Sequence, residues 1–431
     1  MTAPSTFKYT RPEAHQASTT TSYSPLSLAY TALSTTDHAA SLLLGRPLLG
    51  LTGNATTSSA RAPIEEKVSA APSSVLESIQ EWAIDAGWYT DAALRTGVRA
   101  LLRKRLTDLR AEYAADDVER CNERKQAFAE ALRGLKQMAI LTKEANDQHY
   151  EVATGFFEHC LGPHLKYSCC LYPTGNETLA EAERAMLELY CERAELVDGM
   201  SIVELGCGWG SLSLFLAAKY PRSTITAISN SHSQKAHIDA KARERGIKNL
   251  TIVTADINVW APESRLVGNV DRVVSIEMFE HLKNYDRIFS LIHSLLRSGT
   301  GKCFVHIFVH KSLPYHFQTN DDQSWMARYF FSGGTMPSFD LFPSYFQRQL
   351  SVDRTWAVNG THYAKTSRHW LENMDARKAE CMPYLEQCYG KDDAVKWWNR
   401  WRVFYIAVEE LFAYGGGDEW FVGHYLMSKK Q

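Results

Sequence analysis

Between residues 200 and 310, short apolar runs alternate with longer amphipathic stretches. The apolar runs are rich in Val, Ile and Phe and read, in chain order, SIVEL, STITAIS, LTIVTAD, DRVVSIE and GKCFVHIFV. Helix-length segments such as GSLSLFLAAKY and SQKAHIDAKARERG separate them. Strands that alternate with helices predict an α/β fold with a mostly parallel sheet whose two faces are covered by helices.

The segments on either side of this region have a helical pattern. Leu recurs at three- and four-residue steps in DAALRTGVRALLRKRLTDLRAEYA, and this spacing predicts a helix. After residue 321 the chain is aromatic-rich and irregular, then helical from about 367 to 414, and it closes with the strand-like run EWFVGHYLMS. We therefore divide the chain into a tail, an N-terminal helical region, an α/β core and a C-terminal aromatic-rich helical cap, at residues 1–75, 76–165, 166–320 and 321–431.

The predicted tail differs in composition from the rest of the chain. Ser and Thr make up about a third of it, and acidic residues are few. Such a segment buries too little apolar surface to offset the entropy lost on ordering, so we expect disorder. A transit peptide would also be rich in Ser and poor in acidic residues, but arginines are few here and no amphipathic face is evident.

The charge balance and the apolar content exclude several classes of protein. Lys and Arg number 47 against 49 Asp and Glu, so the chain lacks the basic excess of a nucleic-acid-binding protein. No uninterrupted apolar run approaches the ~18 residues of a membrane span, so we expect no stable membrane insertion. The nine cysteines form no CxxC pair, which favours reduced thiols and a cytoplasmic location.

A glycine-rich turn follows the first predicted strand of the core. Gly206, Gly208 and Gly210 alternate in ELGCGWG, and such glycines let the backbone bend sharply and approach a nucleotide closely. The spacing is GxGxG rather than GxGxxG, and no carboxylate occurs in 227–231, where an NAD-binding fold holds the ribose. With Asp256 at the end of a later strand, the pattern indicates a nucleoside cofactor other than NAD. The glycines alone are also compatible with a plain tight turn.

Three titratable residues cluster where another predicted strand ends. Glu277, Glu280 and His281 follow the run DRVV. Carboxylate and imidazole are the usual groups for moving a proton in catalysis, so the cluster indicates an acid–base site. The alternative is that Glu280 and His281 cap the next helix and face water. His306 fits a core residue and a site residue equally well. We expect no metal, because the CxxH spacing of Cys303 and His306 puts them on opposite faces of a strand.

Several separate motifs occur in an order that resembles one enzyme family. They are ELYCERAELVDGMSIVELGCGWGSLSLFLAAKYP, ISNSHSQ, VVSIEMFEHLKNY, WMARYFFSGGTMPS and GGGDEWFVGHYL. Together they resemble S-adenosylmethionine-dependent methyltransferases of the branch that contains cyclopropane-fatty-acid synthases and coclaurine-type N-methyltransferases. The resemblance extends from about Leu76 to the C-terminus. It implies a Rossmann-like class I methyltransferase fold, with the cofactor bound in the core at 166–320 and the substrate covered by the cap.

Matched by position, the resemblance also implies which residues hold S-adenosyl-L-methionine. They would contact its methionine end, amino acid, ribose and adenine in turn, and they are Tyr167, Ser168, Gly206, Gly208, Gly210, Ser229, Gln234 and Asp256. For the methyl acceptor, the plant N-methyltransferases imply that Glu280 attracts and orients an ammonium ion and that His281 accepts or relays its proton. Glu277 would be a second carboxylate.

The resemblance leaves two substrate classes open. In the cyclopropane synthases a Cys, a Glu, a His and a Tyr hold the bicarbonate that removes a proton. Cys169, Glu280 and His306 stand at the matching places, but Phe404 replaces the Tyr, with Tyr405 adjacent. A phenyl ring donates no hydrogen bond, so we expect N-methylation of a small amine, alkaloid-like or biogenic, rather than modification of unsaturated lipid acyl chains. A cofactor-binding subunit without turnover is a third interpretation, and the sequence leaves a homodimer open.

Overall fold

The computed structural model describes residues 81–139, 154–317, 325–331 and 333–431. The predicted tail, residues 1–75, lies outside the described residues. All nine cysteines lie within them as free thiols. In this part of the chain no helix combines the length and the apolar character needed to cross a membrane.

The described strands form one large sheet and one small one. The large sheet has seven strands in the order β3-β2-β1-β4-β5-β9-β8, and the small one pairs β6 with β7. Strands β1 to β5 run parallel, whereas β9 is antiparallel to both β5 and β8. The strands are β1 Ser201–Leu205, β2 Thr224–Ser229, β3 Leu250–Thr254, β4 Arg272–Ile276, β5 Lys302–His310, β6 Tyr315–His316, β7 Thr335–Met336, β8 Leu350–Val358 and β9 Trp420–Lys429.

Helices precede the sheet, connect its strands and follow it. In chain order the described α-helices are α1 Asp91–Glu112, α2 Val118–Gly134, α3 Thr154–Cys160, α4 Leu179–Arg193, α5 Ser211–Lys219, α6 His232–Glu244, α7 Tyr285–Leu295, α8 Trp325–Tyr329, α9 Leu341–Tyr345, α10 Thr361–Ala376, α11 Lys378–Tyr389 and α12 Lys391–Ala413. Several of them begin with a side-chain cap. For example, Thr178 and Glu181 form a reciprocal capping box at the start of α4.

The mostly parallel sheet confirms the predicted fold class, and two details differ from the sequence expectations. Strand β8 lies in the segment that we expected to be irregular. It is an edge strand with several exposed positions, so its sequence carries no strong apolar signal. The C-terminal helical segment starts at Thr361 rather than near 367. It is interrupted at Arg377, and again at Gly390, whose φ of 83° only glycine adopts readily.

Helix α1 is fastened to the C-terminal helix α12 by ion pairs. Arg95 Nη1 lies 3.0 Å from Glu410 Oε1, Arg99 Nε lies 2.5 Å from Glu410 Oε2, and Arg402 Nη1 lies 3.1 Å from Asp91 Oδ1. The apolar face of α1 is buried in the core that these helices share. The N-terminal helix therefore covers the same side of the sheet as the C-terminal cap.

Candidate active site

The turn after β1 is shaped by glycines with positive φ. The N–H groups of Gly206 and Cys207 both donate to Ile228 O at 3.0 Å, which folds the turn against the end of β2. Gly208 has a φ of +50°, and a Cβ on it would meet nothing within 4 Å. At Gly210 a Cβ would come within 2.7 Å of Ile238 Cγ1. Gly208 therefore leaves open space for a ligand, while Gly210 permits close packing against α6.

A cavity lies over this turn, and we call it the glycine-loop cavity. Of the residues assigned to the cofactor, those that line it are Tyr167, Ser168, Gly206, Gly208, Ser229, Gln234 and Asp256; Gly210 does not. Ser229 Oγ donates to Gln234 Oε1 at 2.7 Å. Gln234 is buried, and its Nε2 has no hydrogen-bond partner among the described residues. A cavity with open space over a glycine and an unsatisfied amide donor fits a nucleoside with ribose hydroxyls.

A second cavity, the aromatic cavity, lies beyond the end of β4. Most of its lining is apolar, and these residues are Val98, Leu101, Leu102, Phe308, Phe317, Met326, Phe331, Met336, Trp370, Phe404, Ala407, Val408, Leu411 and Phe412. The polar side chains that line it are those of Arg105, Tyr167, Glu277, Glu280, His281, Tyr315, His316 and Tyr363. An apolar cavity with a few polar groups is typical of a small-molecule site.

The two cavities share three lining residues: Tyr167, Glu277 and His281. A group bound in one cavity can therefore approach a group bound in the other along these side chains. We call these residues the junction.

The backbone and the carboxylate of Glu277 are both constrained at the junction. Glu277 follows β4 with a φ of +46°, which is uncommon for a residue other than glycine and is typical of functional sites. Its Oε1 accepts hydrogen bonds from Cys169 N and His306 Nε2, each at 2.9 Å, and its Oε2 accepts one from the Tyr363 hydroxyl at 2.5 Å. Burial raises the pKa of Glu277, and the hydrogen bonds from Cys169 and Tyr363 oppose that rise.

Glu280 and His281 lie on the single 3₁₀ turn Phe279–His281 that follows. Glu280 is 2% exposed, and its Oε2 has no hydrogen-bond partner in the part of the chain that the structure describes. Burial and the charge of Glu277 raise its pKa well above the ordinary value. The interpretation of Glu280 and His281 as water-facing caps is wrong, because the cap of α7 is Asn284, whose side chain accepts from Arg287 N at 3.0 Å.

The imidazole of His281 is kept neutral. Burial and the positive charge of Lys283 lower its pKa to about 4. The ring stacks parallel to that of Phe331, with 6.0 Å between centroids. Lys283 is itself held by bonds to Gly334 O at 3.0 Å and Thr335 Oγ1 at 2.8 Å, and burial lowers its pKa to about 7.

The structure corrects the grouping that would hold a bicarbonate ion. Cys169 N and His306 Nε2 converge on Glu277 rather than on a site shared with Glu280. Tyr405, the neighbour of Phe404, lines neither cavity, and its buried hydroxyl has the Cys160 thiol as a hydrogen-bond partner. The hydroxyl that donates to Glu277 belongs instead to Tyr363 in α10. The Glu277 carboxylate therefore accepts hydrogen bonds from these donors, in place of a bicarbonate ion.

Sequence reasoning missed two residues of this site. Tyr363 reaches Glu277 across 86 residues of sequence, in a segment without a motif, so no local pattern signals its role. Lys166, which adjoins the predicted pair Tyr167 and Ser168, is buried and donates from Nζ to Cys169 O at 2.7 Å. The sequence shows that a lysine adjoins a predicted cofactor contact, but its burial is seen only in the structure. No group of three or more potential metal ligands is found in the described ranges.

An open sheet in the order β3-β2-β1-β4-β5-β9-β8 with antiparallel β9, a glycine turn after its first strand and a cavity at its strand ends is the class I methyltransferase fold. The comparisons with known proteins agree. The family model described as mycolic acid cyclopropane synthetase matches residues 138–414. The (S)-coclaurine N-methyltransferase of Thalictrum flavum subsp. glaucum is 39% identical over 302 residues, 69% of this chain and 82% of that protein.

One solved structure and one bacterial relative extend this picture. The crystal structure of coclaurine N-methyltransferase bound to N-methylheliamine and SAH has a TM-score of 0.75 and 33% identity, and covers 82% of this chain and all of that one. The cyclopropane-fatty-acyl-phospholipid synthase of Escherichia coli is 28% identical over 243 residues, 56% of this chain and 58% of that protein. The chain belongs to the mycolic acid cyclopropane synthetase family and is an S-adenosylmethionine-dependent methyltransferase.

Proposed function

We propose that this methyltransferase N-methylates a small amine whose carbon skeleton lies in the aromatic cavity. The observation that carries the proposal is Glu280, a buried carboxyl group that lines this cavity, next to the junction, with an oxygen unpaired among the described residues. A buried carboxyl group with one oxygen unpaired is destabilising, and a cationic ligand would offset that penalty. The relatives that bear the name coclaurine N-methyltransferase support the same substrate class.

The residues of the glycine-loop cavity would hold the cofactor. Gly208 leaves room for close contact with the backbone, and the free Nε2 of Gln234 suits a ribose hydroxyl. The Asp256 carboxylate is held in position because its Oδ1 accepts a hydrogen bond from Asn258 N at 2.8 Å, and it would contact the adenosine end of the cofactor. Bound there, S-adenosylmethionine supplies a methyl group on a positively charged sulfur. Tyr167, at the junction, lies between Phe157 and Trp370, with ring centroids at 5.1 and 5.4 Å, and would face that charge.

We infer that Glu280 takes the proton from the amine and that His281 orients it. An ammonium ion has no free lone pair, so it must lose a proton before it attacks. The lowered pKa of His281, about 4, makes it a weak proton acceptor, whereas burial and the charge of Glu277 raise the pKa of Glu280 well above its ordinary value, so the Glu280 carboxylate is the stronger base of the two. This assignment reverses the roles that the resemblance implied for the two residues.

The aromatic walls would align the amine and exclude water. Within the wall, Tyr363 stacks on Phe412 with 4.3 Å between centroids, and Phe404 stacks on Phe330 behind the wall with 4.5 Å between centroids, so these rings support one another. Faces of aromatic rings attract cations, which suits an ammonium ion. The mainly apolar lining also provides a low-dielectric surrounding, which strengthens the interaction of Glu280 with its ligand.

The position of Glu277 favours an amine over a lipid acyl chain. A chemistry that depends on bicarbonate needs an anion among hydrogen-bond donors, and here Cys169 N, His306 and Tyr363 already donate to Glu277. A second anion at this point would meet the negative charge of that carboxylate.

The test is incubation of the purified protein with methyl-labelled S-adenosylmethionine and either a panel of primary and secondary amines or vesicles of unsaturated phospholipid. We expect label in amines that carry an aromatic or bicyclic group. Label found only in lipid would reverse the proposed substrate class. Cofactor binding without turnover on either substrate would favour a regulatory subunit.

A further inference from the structure

A row of buried hydrogen bonds leads from Glu277 through the sheet towards the protein surface. His306 in β5 and His424 in β9 lie directly opposite each other in the antiparallel register, and both are fully buried. His306 Nε2 lies 2.9 Å from Glu277 Oε1, and His424 Nε2 lies 2.9 Å from His306 Nδ1. The row ends at Arg193, the last residue of α4, whose Nη1 lies 2.7 Å from His424 Nδ1.

The direction of every bond in this row follows from its last member. Arginine only donates, so His424 Nδ1 must accept. Burial lowers the pKa values of both histidines well below the ordinary value, so both rings are neutral and each carries one proton. His424 therefore donates from Nε2 to His306 Nδ1, and His306 donates from Nε2 to Glu277. The Tyr190 hydroxyl also lies 3.0 Å from His306 Nδ1 and shares the single lone pair of that nitrogen with His424 Nε2.

Arg193 also determines whether this row of hydrogen bonds can conduct protons or can only orient its members. A conducting chain must release a proton at its outer end. Arg193 is half-buried, and although burial lowers its pKa, a guanidinium still keeps its proton at any physiological pH. It also stacks over the ring of Trp356, with its Cζ 5.0 Å from the centroid, which fixes its position. The row is therefore a one-way series of donors.

We propose that Arg193 and His424 are positioning residues of the methyl-transfer site, acting through His306 to hold Glu277 as a charged, acceptor-only carboxylate between the two cavities. This inference rests on the proposed function. A fixed negative charge at the junction attracts both reactants, because the sulfonium of the donor and the ammonium of the acceptor are cations. It also raises the basicity of Glu280.

Other titratable and charged groups surround Glu277, Arg193 and His424, and they limit how far the removal of Arg193 can change the pKa of Glu277. Those around Glu277 are Lys166, Cys169, Glu280, His281, His306 and Tyr363. Those around Arg193 and His424 are Lys166, Tyr190, Glu192 and His306. The positive charge of Lys166 also lowers the pKa of Glu277, and this contribution remains when Arg193 is removed. We therefore expect a shift in pH dependence rather than a complete loss of activity.

The experiment compares Arg193→Gln with Arg193→Lys, which keeps a cationic donor, and with Arg354→Gln on the exposed surface of β8 as a control. Loss of Arg193 should raise the pKa of Glu277, so the pH at which its carboxylate takes up a proton, followed by the ¹³C chemical shift of the labelled carboxyl group, should move up by about one pH unit, with affinity for S-adenosylmethionine almost unchanged. Arg193→Lys should restore most of the shift, and Arg354→Gln should show none. A Glu277 titration that is the same in Arg193→Gln and the unaltered protein would overturn the proposal.

A measurement without substrate separates this inference from the proposed function. The ¹⁵N chemical shifts of histidine report which ring nitrogen carries the proton. In the unaltered protein we expect His306 and His424 both protonated at Nε2. A proton on Nδ1 of either ring would contradict the positioning role of Arg193 and His424, even if amines are methylated. Failure to methylate any amine, with both rings protonated at Nε2, would contradict only the proposed substrate class.

Discussion

The glycine-loop cavity and the aromatic cavity meet at three residues but take their ligand-facing groups from different parts of the fold. In the first, glycines and small polar groups at the ends of adjacent strands, such as Gly208 and Ser229, lie among apolar side chains. The second is formed by large apolar side chains from helices far apart in the sequence, such as Val98 and Phe412. Close backbone contacts tolerate few changes, whereas a wall of side chains can be altered one residue at a time. We therefore expect changes in one cavity to affect the cofactor and changes in the other to affect the acceptor.

The largest effect is expected for Glu280→Gln, which removes the proposed base from the aromatic cavity. Turnover should fall about 1000-fold, since general base catalysis contributes factors of this order, while the affinity for cofactor stays within about threefold. Steady-state kinetics and calorimetry check the two values. Glu183→Gln is a matched control, because Glu183 is also fully buried with a pKa raised to about 7, but lines neither cavity. A loss of cofactor affinity equal to the loss of turnover would contradict the assigned role.

The second prediction reverses this pattern in the glycine-loop cavity. Gly208→Val should weaken cofactor binding about 100-fold, because its side chain would fill the open space and strain the backbone. Gly268→Val tests strain alone, since Gly268 also has a positive φ and open surroundings but lines neither cavity. Calorimetric titration with S-adenosylmethionine is the measurement. Equal weakening in both variants would show that backbone strain, and not the cavity, causes the loss.

The third prediction concerns the size of the aromatic cavity. Ala407 in α12 lines it, and Ala407→Leu adds three carbon atoms to the wall. The KM of a bulky bicyclic amine should rise about tenfold, and that of a small primary amine should change much less. The pair of substrates is an internal control for general damage. A similar rise for both amines would mean that Ala407 does not limit acceptor size.

The smallest effect is a dependence of stability on pH. The raised pKa of Glu280 means that the folded state keeps a proton that the unfolded chain loses, so its contribution to stability falls as pH rises through that pKa. Gln does not titrate, so the Tm of Glu280→Gln should exceed that of the unaltered protein by about 3 °C at pH 8.5 and by less at pH 5.5. Lys283, with a lowered pKa, has the opposite sign but is present in both proteins. A pH-independent difference between the Tm values would contradict the raised pKa.

The contrast between the cavities also explains what could be predicted from the sequence. Gly206, Gly208 and Asp256 lie directly after apolar strands, and parallel strands bring their carboxyl ends to one edge, so a local pattern is enough to group them. Tyr363 and the wall residues of α1 have no such signal, because their contacts depend on how helices pack on one another. The unpaired state of Glu280 and the anchoring of Glu277 likewise depend on burial and on distant partners, which a linear pattern does not encode.

Helix α1 contributes Val98, Leu101 and Leu102 to one wall of the aromatic cavity, yet it contributes nothing to the glycine-loop cavity. It is joined to α12 by ion pairs, and its own apolar face packs into the core that these helices share. It is thus one continuous segment that shapes the acceptor cavity without touching the cofactor cavity. Exchanging it between relatives is an economical route, in evolution or in the laboratory, to a new range of acceptors with the methyl-donor machinery left intact.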